Sequence, residues 1–392
     1  MKSSTAAIAG ALSSLLAVGS AAPAARAAEE SSLIVDTAPQ YLRPYVLPKF
    51  AGQAVAVGQQ IYRFSVTGNS SAGAFTLMQT NAPDSTSLGV LPHTHKAHYE
   101  NFYCTKGRVQ LWAKTNATGE NARVLTPGDY GAVPHNTIHT FQMTDPDTQL
   151  TGVIQPGGFE QLFIAIGDGA YNSSTGSAFV PAAASNSSSS SGAGSSAGMI
   201  SALESFDVFA QLDFSPRYDF VNGSASSSPS SAGKWHDGAN ALAKDAYTPN
   251  FVAKGYGPKY LNVDDGVYRV VQPLVTGTQS ADNFTMGTIT MSPLLANQTA
   301  AGTAQQNLTQ PLAFQMEEGQ LVVAIDGYDS VSLIQGDVVF IPAGIPFTYH
   351  ASVPFTKFLY VSGGGDGLDY QLMQKSVSWD YTTYPTYAGY TI

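Results

Sequence analysis

Along most of the chain, short runs of Val, Ile, Leu, Thr and aromatic residues alternate with turns rich in Gly, Pro, Asn and Asp. Examples are VQLWA after Gly107, YGAVP after Asp129, VVFIP after Asp337 and FLYVS from Phe358. Short strands at regular spacing, separated by turn residues, are typical of β-sandwiches and β-barrels. The pattern therefore predicts an all-β fold.

The two halves of the chain repeat one pattern. VLTPGDYGAVPHNTIHTF in the first half aligns with SLIQGDVVFIPAGIPFTY in the second at a constant offset of 208, since 336 minus 128 is 208. The alignment places Gly128, Asp129, Pro134 and Phe141 opposite Gly336, Asp337, Pro342 and Tyr349. Each Gly-Asp pair suits a tight turn, and each Pro suits a strand end, where its missing N–H costs nothing. The repeat predicts two domains of the same fold.

Two Ser-rich stretches separate the halves, SNSSSSSGAGSSAG at 185–198 and NGSASSSPSSAG at 222–233. Such segments cannot bury a core, so we interpret residues 173–233 as a linker. A short amphipathic piece, MISALESFDVFAQLDF, lies between the two stretches and predicts a short helix. The predicted domains on either side of the linker are 29–172 and 234–392.

The beginning of the chain has the pattern of a secretory signal peptide, which we predict at residues 1–28. Lys2 is followed by an apolar run from Ala6 to Val18 and then by small residues, with cleavage expected between Ala21 and Ala28. No later stretch has about 18 uninterrupted apolar residues, the length that spans a bilayer. We expect the mature protein to be soluble, secreted and extracellular.

The charge balance argues against two classes of partner. The chain has 28 acidic and 18 basic residues, a net charge of -10 and a pI of about 5.0, so nucleic acid and anionic membranes would repel it. Hydrophobic residues make up 43% of the chain, which is enough to bury one or two cores and argues against disorder.

Two further features bear on an extracellular protein. The single cysteine, Cys104, cannot form an intrachain disulfide, and we expect it to be a buried, inert thiol. Eight Asn-X-Ser/Thr sequons are candidate glycosylation sites: Asn69, Asn116, Asn172, Asn186, Asn222, Asn283, Asn297 and Asn307.

Candidate metal chemistry is concentrated in the stretch HTHKAHYE, which holds three of the seven histidines. His93 and His95 are two residues apart, so on a strand their side chains point to the same face. Glu100 breaks this parity, and we expect it to return beside the pair after a hairpin turn at residues 96–99. His139 follows the Gly128-Asp129 turn, and a further strand can bring it to the same point. Three imidazoles and one carboxylate predict a divalent metal site with open coordination positions.

These residues and their spacing resemble the two motifs of the cupin superfamily. Gly89, His93-Thr94-His95, Glu100 and Gly107 are similar to the first motif, and Gly128, Pro134 and His139 are similar to the second. Asn136 stands where the second motif usually has Gly, and Asn also tolerates a left-handed backbone. The resemblance implies two cupin domains, each a double-stranded β-helix (jelly roll), with the metal site in the N-terminal one.

The other histidines are weaker candidates. We interpret His98 as a neighbour of the site or an exposed residue rather than a ligand, and His135 as solvated. His236 and His350 have no spaced partners, so we assign them no chemistry.

The second half lacks the ligand set. The 208 offset places Phe347 opposite His139, and aligning Gly107 with Gly319 places Gln305, Asn307 and Leu312 opposite His93, His95 and Glu100. We interpret Glu317 and Glu318 as a solvated turn. This half is therefore predicted to be a structural domain that covers or braces its partner.

A two-cupin chain with one site of three His and one Glu resembles the fungal copper quercetin 2,3-dioxygenases over nearly the whole mature length. The resemblance implies that His93, His95, Glu100 and His139 bind one metal ion, most often copper, with Glu100 also acting as the catalytic base. It implies a flavonol and O₂ as substrates, with a depside and carbon monoxide as products, and it favours a homodimer. It also implies that the flavonol cavity is lined by Tyr62, Met78, Thr80, Phe102 and Phe141.

The sequence leaves alternatives open. Manganese, iron, nickel or cobalt would also suit these ligands. An oxalate decarboxylase or oxidase is a second interpretation, although such a site needs a cation for a small dianion and the site stretches offer mainly Lys96 and aromatic residues. A third is a storage or ligand-binding bicupin without activity, which generally has no intact ligand set.

Overall fold

The computed structural model describes residues 32–172, 197–218, 223–224, 235–236, 238–295 and 305–385. The predicted signal peptide, most of both Ser-rich stretches and the sequons at Asn186, Asn222 and Asn297 lie outside the described residues. The regular secondary structure of the described residues is mostly β-strand, as predicted. None of their helices has the length and apolar character needed to cross a membrane.

Among the described residues, twelve strands lie before the predicted linker, and two short strands lie within it. The twelve are β1 Tyr45–Leu47, β2 Ala54–Val57, β3 Gln60–Val66, β4 Thr76–Ala82, β5 His93–Thr94, β6 Tyr99–Lys106, β7 Val109–Thr115, β8 Gly119–Leu125, β9 Tyr130–Val133, β10 Ile138–Met143, β11 Thr148–Gln155 and β12 Gly169–Ala170. The two in the linker are β13 Phe209–Ala210 and β14 Gly223–Ser224.

The described part of the second half adds eleven strands: β15 Asn250–Val252, β16 Tyr260–Asn262, β17 Arg269–Val275, β18 Phe284–Met291, β19 Leu312–Glu318, β20 Leu321–Ile325, β21 Val331–Leu333, β22 Val338–Ile341, β23 Phe347–Ala351, β24 Thr356–Gly363 and β25 Ser376–Ser378. The helices in the described ranges are short: α1 Gly68–Ser71, α2 Glu160–Ile166, α3 Ala197–Glu204, α4 Gly277–Ser280 and α5 Leu368–Met373, with one 3₁₀ turn at Asp264–Gly266. The helix predicted between the Ser-rich stretches is α3.

Each half forms two antiparallel sheets. In the first half, an eight-stranded sheet runs in the order β12-β2-β3-β4-β11-β6-β9-β15, and a six-stranded sheet runs in the order β13-β5-β10-β7-β8-β14. In the second half, the orders are β1-β22-β19-β24-β18-β17-β16-β25 and β21-β20-β23. Apolar side chains from both sheets of each half share one core, as Phe102 and Leu111 do in the first and Phe314 and Phe347 do in the second. The fold is all-β with two cupin domains, as predicted.

The two halves exchange edge strands. β1 pairs with β22, placing Tyr45 opposite Phe340, and β15 pairs with β9, placing Val252 opposite Tyr130. Residues 45–47 and 250–252 therefore belong to sheets of the opposite half. One apolar cluster holds Tyr45, Tyr130 and Phe340 together and so spans both domains. The predicted boundaries, 29–172 and 234–392, stay a prediction, and they do not describe this exchange.

The internal repeat is visible in atomic detail. Gly128 and Gly336 have φ of 94° and 93°, in the left-handed region that favours glycine. Asp129 Oδ2 accepts the backbone N–H of Thr126 at 2.8 Å, and Asp337 Oδ2 accepts that of Ile334 at 2.9 Å. The two Gly-Asp turns are therefore equivalent, as the 208 offset predicts.

Candidate metal centre

The four predicted ligands come from both sheets of the first domain. His93 on β5 and His139 on β10 are directly opposite each other in the six-stranded sheet. Glu100 is the second residue of β6 in the eight-stranded sheet, where it lies opposite Val133 of β9. His95 follows β5 by one residue. The predicted hairpin is wrong in this respect: the turn after His95 joins two sheets, because β5 and β6 do not pair with each other.

The four side chains form one compact buried cluster. One donor atom from each residue can be chosen so that all four atoms lie within 4.8 Å of one another. Glu100 Oε2 is 2.8 Å from His139 Nε2 and 3.3 Å from His95 Nε2. His139 is fully buried, whereas His93 and Glu100 retain 5% and 7% of their accessible surface. All four side chains are therefore shielded from bulk water.

A backbone carbonyl fixes the orientation of each of the three imidazole rings. The Nδ1 atoms of His93, His95 and His139 lie 2.7, 2.8 and 3.1 Å from the carbonyl oxygens of Leu91, Asp207 and Thr137. A carbonyl can only accept, so each Nδ1 carries the proton, and in the neutral ring Nε2 keeps its lone pair. The Nε2 lone pairs of His95 and His139 then face the carboxylate of Glu100. A cation between them resolves this repulsion, so the residues fit a single metal ion.

The electrostatics follow from burial and proximity. Burial raises the pKa of Glu100, but the adjacent rings of His139 and His95, which donate to it from Nε2 when they are protonated there, outweigh burial and hold the pKa of that carboxyl well below its usual range. Burial lowers the pKa of His93 well below its usual value, and the neighbouring imidazoles lower it further. Burial also lowers the pKa of His95, yet its contact with Glu100 leaves that pKa raised overall. Glu100 is therefore ionised and available as a metal ligand or proton acceptor.

The five residues that the resemblance places around a flavonol lie on strands of the two sheets that carry the four predicted ligands. Tyr62 on β3 is directly opposite Thr80 on β4, and Met78 is two residues earlier on β4. Phe102 on β6 lies edge-on to His139, with ring centroids 6.2 Å apart. The ring centroids of Phe102 and Phe141 are 5.8 Å apart. All five are buried but keep between 4% and 7% of their accessible surface. Their roles stay predictions.

Sequence reasoning missed two aromatic residues beside the cluster. Phe159, which directly precedes α2, lies edge-on to His95 with ring centroids 5.1 Å apart. Phe163 on α2 stacks on Tyr62 at 4.1 Å. Their spacing to the histidines in the sequence does not indicate this contact. The segment that carries them follows β11 and comes close to the histidines only through the tertiary fold.

Asp207 is a further residue that the sequence did not single out. It lies in the predicted linker, 112 positions from His95, and its backbone carbonyl accepts the His95 Nδ1–H. Its carboxylate accepts N–H groups from the loop after His95. No motif contains it, so only the fold reveals this contact.

The remaining polar predictions have mixed outcomes. His98 lies outside the four-residue cluster, and its Nδ1 is 2.8 Å from Asp207 Oδ2. His135 was expected to be solvated but is partly buried, with its Nε2 enclosed, because it packs near Tyr99.

Asn136 has φ of 59°, which confirms the left-handed conformation expected there. Cys104 is buried, and burial raises the pKa of its thiol to about 12, which fits an inert thiol.

The second domain is apolar where the first has ligands. Phe347 and Leu312 are buried in one apolar cluster, as the offsets predict for the counterparts of His139 and Glu100. The predicted alignment of His93 with Gln305 is wrong by one residue. His93 pairs with His139, and in the second domain it is Gln306 that pairs with Phe347, the counterpart of His139. The next alternate residue is then Leu308, which is buried, rather than Asn307.

Glu317 also differs from its prediction as part of a solvated turn. It lies on β19, and its carboxylate contacts Lys357 Nζ and Tyr103 Oη, both at 2.8 Å. Because Tyr103 belongs to the first domain, this contact lies at the interface of the two halves. Glu318 is half exposed, as expected of a turn residue.

The chain is similar to known proteins both in sequence and in structure. The chain is 49% identical over 359 residues to quercetin 2,3-dioxygenase of Aspergillus japonicus, which covers 91% of this chain and 99% of that protein. It is 32% identical over 125 residues to quercetin 2,3-dioxygenase of Bacillus subtilis, covering 32% of this chain and 35% of that protein. Among solved structures, an oxalate decarboxylase mutant from Bacillus subtilis aligns with 11% identity and a TM-score of 0.49, covering 84% of this chain and 79% of that one. No protein-family model matches the chain. The extent of the first match shows that the chain belongs to the quercetin 2,3-dioxygenase family.

Proposed function

We propose that this chain is a metal-dependent dioxygenase that opens the central ring of a flavonol such as quercetin with O₂, giving a depside and carbon monoxide. The observation that carries the proposal is the buried cluster of three imidazoles and one carboxylate in a chain 49% identical to the Aspergillus japonicus enzyme over 91% of its length.

His93, His95, Glu100 and His139 would hold the ion. The fixed Nδ1 contacts direct the imidazole Nε2 atoms inward, and such second contacts are typical of metal-bound histidines. This donor set suits several divalent ions, and we assign copper because of the family. When bound, the ion supplies a Lewis acid that makes a nearby hydroxyl more acidic, together with one-electron chemistry toward O₂.

Glu100 would take the proton of the flavonol 3-hydroxyl. Both of its contacts to imidazoles use Oε2, so we assign Oε1 as the atom that receives the proton. The carboxylate is ionised, since the adjacent rings of His139 and His95 outweigh the effect of burial and hold its pKa low. A proton acceptor within hydrogen-bond reach of the reacting hydroxyl is the main requirement for general-base catalysis.

Apolar and aromatic side chains would hold the flat flavonol rings and exclude water. Tyr62 and Met78 belong to one apolar cluster with Phe159 and Phe163, and Phe102 and Phe141 belong to another. Large flat substrates favour walls of this kind, with few polar groups.

We also propose that the protein is secreted and carries N-linked glycans. Five of the eight sequons lie in the described ranges, and all five asparagines are exposed: Asn69, Asn116, Asn172, Asn283 and Asn307. Exposure supports glycan addition, because the glycan must point to solvent. Mass spectrometry of the protein from a fungal host, before and after deglycosylation, tests the glycans and the cleavage site together.

The experiment that tests the activity measures metal content, quercetin consumption and released gas on one preparation. We expect about one metal ion per chain, loss of the quercetin absorbance only in the presence of O₂, and one carbon monoxide per quercetin consumed. Release of carbon dioxide from oxalate, with no turnover of quercetin, would instead identify an oxalate-converting cupin. A pure, folded protein that binds no metal and converts neither compound would favour a bicupin without activity.

A further inference from the structure

We infer that Asp207 is a positioning residue for the metal centre: it fixes both the ring of His95 and the loop that joins His95 to Glu100. The inference rests on the proposed metal site but adds a residue from the predicted linker. Asp207 contacts no proposed substrate or reacting atom, so its expected effect is on metal binding.

The Asp207 carboxylate gathers the loop after His95. Oδ1 accepts the backbone N–H of Lys96 at 3.0 Å, and Oδ2 accepts those of Ala97 and His98 at 2.8 and 3.0 Å. The Nδ1 of His98 lies 2.8 Å from the same Oδ2. Three consecutive N–H groups directed at one carboxylate fix the path of a short loop. That loop contains every residue between His95 and Tyr99, so it sets the separation of two proposed ligands.

The backbone of Asp207 acts on His95 directly. Its carbonyl oxygen lies 2.8 Å from His95 Nδ1, which fixes the ring with Nε2 toward the cluster. His93 and His139 use carbonyls two residues from themselves, whereas His95 depends on one that is 112 residues away. Asp207 has φ of 63°, a conformation that Asp tolerates better than most residues. In this conformation its carbonyl and its carboxylate both contact the loop that carries His95.

Neighbouring residues hold Asp207 against the site. β13 pairs with β5 so that Phe209 lies opposite Thr94 and Ala210 lies opposite His93. The N–H of Gln211 donates to the Pro92 carbonyl at 2.7 Å. On the other side of Asp207, Leu203 is buried in the apolar cluster that contains Tyr62 and Met78, and Val208 is buried in the same cluster. The segment 203–211 is therefore anchored on both sides of Asp207.

Two substitutions test the inference. Asp207→Asn keeps the size, the left-handed tendency and the carbonyl, but replaces one acceptor oxygen by an NH₂ group that cannot accept. Asp207→Gly keeps the backbone conformation and the carbonyl, and removes every carboxylate contact. The matched control is Asp337→Asn, since Asp337 accepts the N–H groups of Lys49 and Ile334 at 2.9 Å in the metal-free domain.

The primary measurement is the dissociation constant for Cu²⁺, obtained by chelator competition with the full-length, metal-depleted protein. Loss of a group that orients a metal ligand typically weakens binding by about 10- to 100-fold. We expect Asp207→Asn and Asp207→Gly to show such a loss, and Asp337→Asn to bind Cu²⁺ as wild type does. At saturating Cu²⁺, the electron paramagnetic resonance spectrum of the Asp207 variants should broaden, because the loop allows several ligand arrangements.

The outcomes separate this inference from the proposed function. Wild-type affinity and an unchanged spectrum in folded Asp207→Asn would overturn the role of Asp207 and leave the metal site standing. An equal loss of affinity in Asp337→Asn would also overturn it, because the effect would then be one of general stability. A wild-type protein that binds no Cu²⁺ would overturn the metal site itself. If Asp207→Gly does not fold, Asp207→Asn alone decides.

Discussion

Replacing Glu100 by Gln exchanges one oxygen for an NH₂ group and leaves the size of the side chain unchanged. The amide can still direct its oxygen toward His95 and His139, where Glu100 Oε2 lies at 3.3 and 2.8 Å. We therefore expect the variant to fold and to keep part of its metal. It cannot accept the flavonol proton, because an amide has no basic site at neutral pH.

The magnitude follows from the role assigned to the carboxylate. A positioned general base contributes about 10²- to 10⁴-fold to a rate, which corresponds to about 3 to 5 kcal/mol of transition-state stabilisation. Glu100 is buried, and no other acidic residue belongs to the four-residue cluster found among the described residues. The nearby carboxylate of Asp207 is already engaged by the N–H groups of residues 96–98, so the loss in kcat for Glu100→Gln should lie toward the upper end of this range.

The assay compares kcat per bound metal for wild type, Glu100→Gln and Glu160→Gln. Glu160 is a fitting control, since it is buried in the same domain and accepts hydrogen bonds from Gly68 N and Thr76 Oγ1 at 3.0 and 2.6 Å. It does not contact the cluster, so Glu160→Gln should lower stability and leave kcat per folded, metal-loaded chain near wild type. A Glu100→Gln enzyme whose kcat per bound metal lies within tenfold of wild type would refute the assignment of Glu100 as the base.

Three further predictions address the ligand set, stability and the thiol. His139→Ala should lower metal content by at least half in elemental analysis, whereas the exposed His350→Ala should not; full occupancy without His139 would remove it from the ligands. Burial raises the pKa of Asp369 from 3.8 to about 6 despite a hydrogen bond from Thr285. The free energy of unfolding should therefore fall by about 3 kcal/mol as pH rises from below 4 to above 6. Asp369→Asn should remove this loss, and urea unfolding at pH 4 and 7 measures it; equal pH dependence in both proteins would contradict it. Cys104, whose thiol pKa burial raises to about 12, should react with a thiol reagent at pH 8 only in denaturant, and rapid labelling of the folded protein would contradict its burial.

The clustering of His93, His95, Glu100 and His139 could be predicted from the sequence because it depends on local rules. The spacing of His93 and His95 and the position of Glu100 after a turn are features of one short stretch. His139 follows from the repeated Gly-Asp turn, whose glycines have the same φ in both halves. Such patterns fix which side chains share a face, although they do not say which strands pair. For that reason the return of Glu100 was expected through a hairpin, whereas it occurs by a change of sheet.

Contacts distant in sequence could not be predicted in the same way. Asp207 reaches His95 across 112 positions, from a segment whose Ser-rich surroundings indicate a linker. Hydrophobic periodicity does not specify which sheet edge a short strand such as β13 will join. The error of one residue at Gln305 has a related cause, because the offset between the halves changes with loop length: it is 212 at Glu100 but 213 at His93, since 306 minus 93 is 213.

The strand exchange explains why a domain without ligands accompanies the metal centre. β15 of the second half pairs with β9, placing Asn250 opposite Ala132, and β9 in turn places Val133 opposite Glu100. The backbone N–H of Lys254, just beyond β15, donates to Asp129 Oδ1 at 2.8 Å in the turn that precedes β9. The position of Glu100 therefore depends on a strand whose outer neighbour comes from the other domain. The second domain can support β9 even though its own interior is apolar. Phe347 and Leu312 can therefore occupy the positions equivalent to His139 and Glu100 without disturbing the site in the first domain.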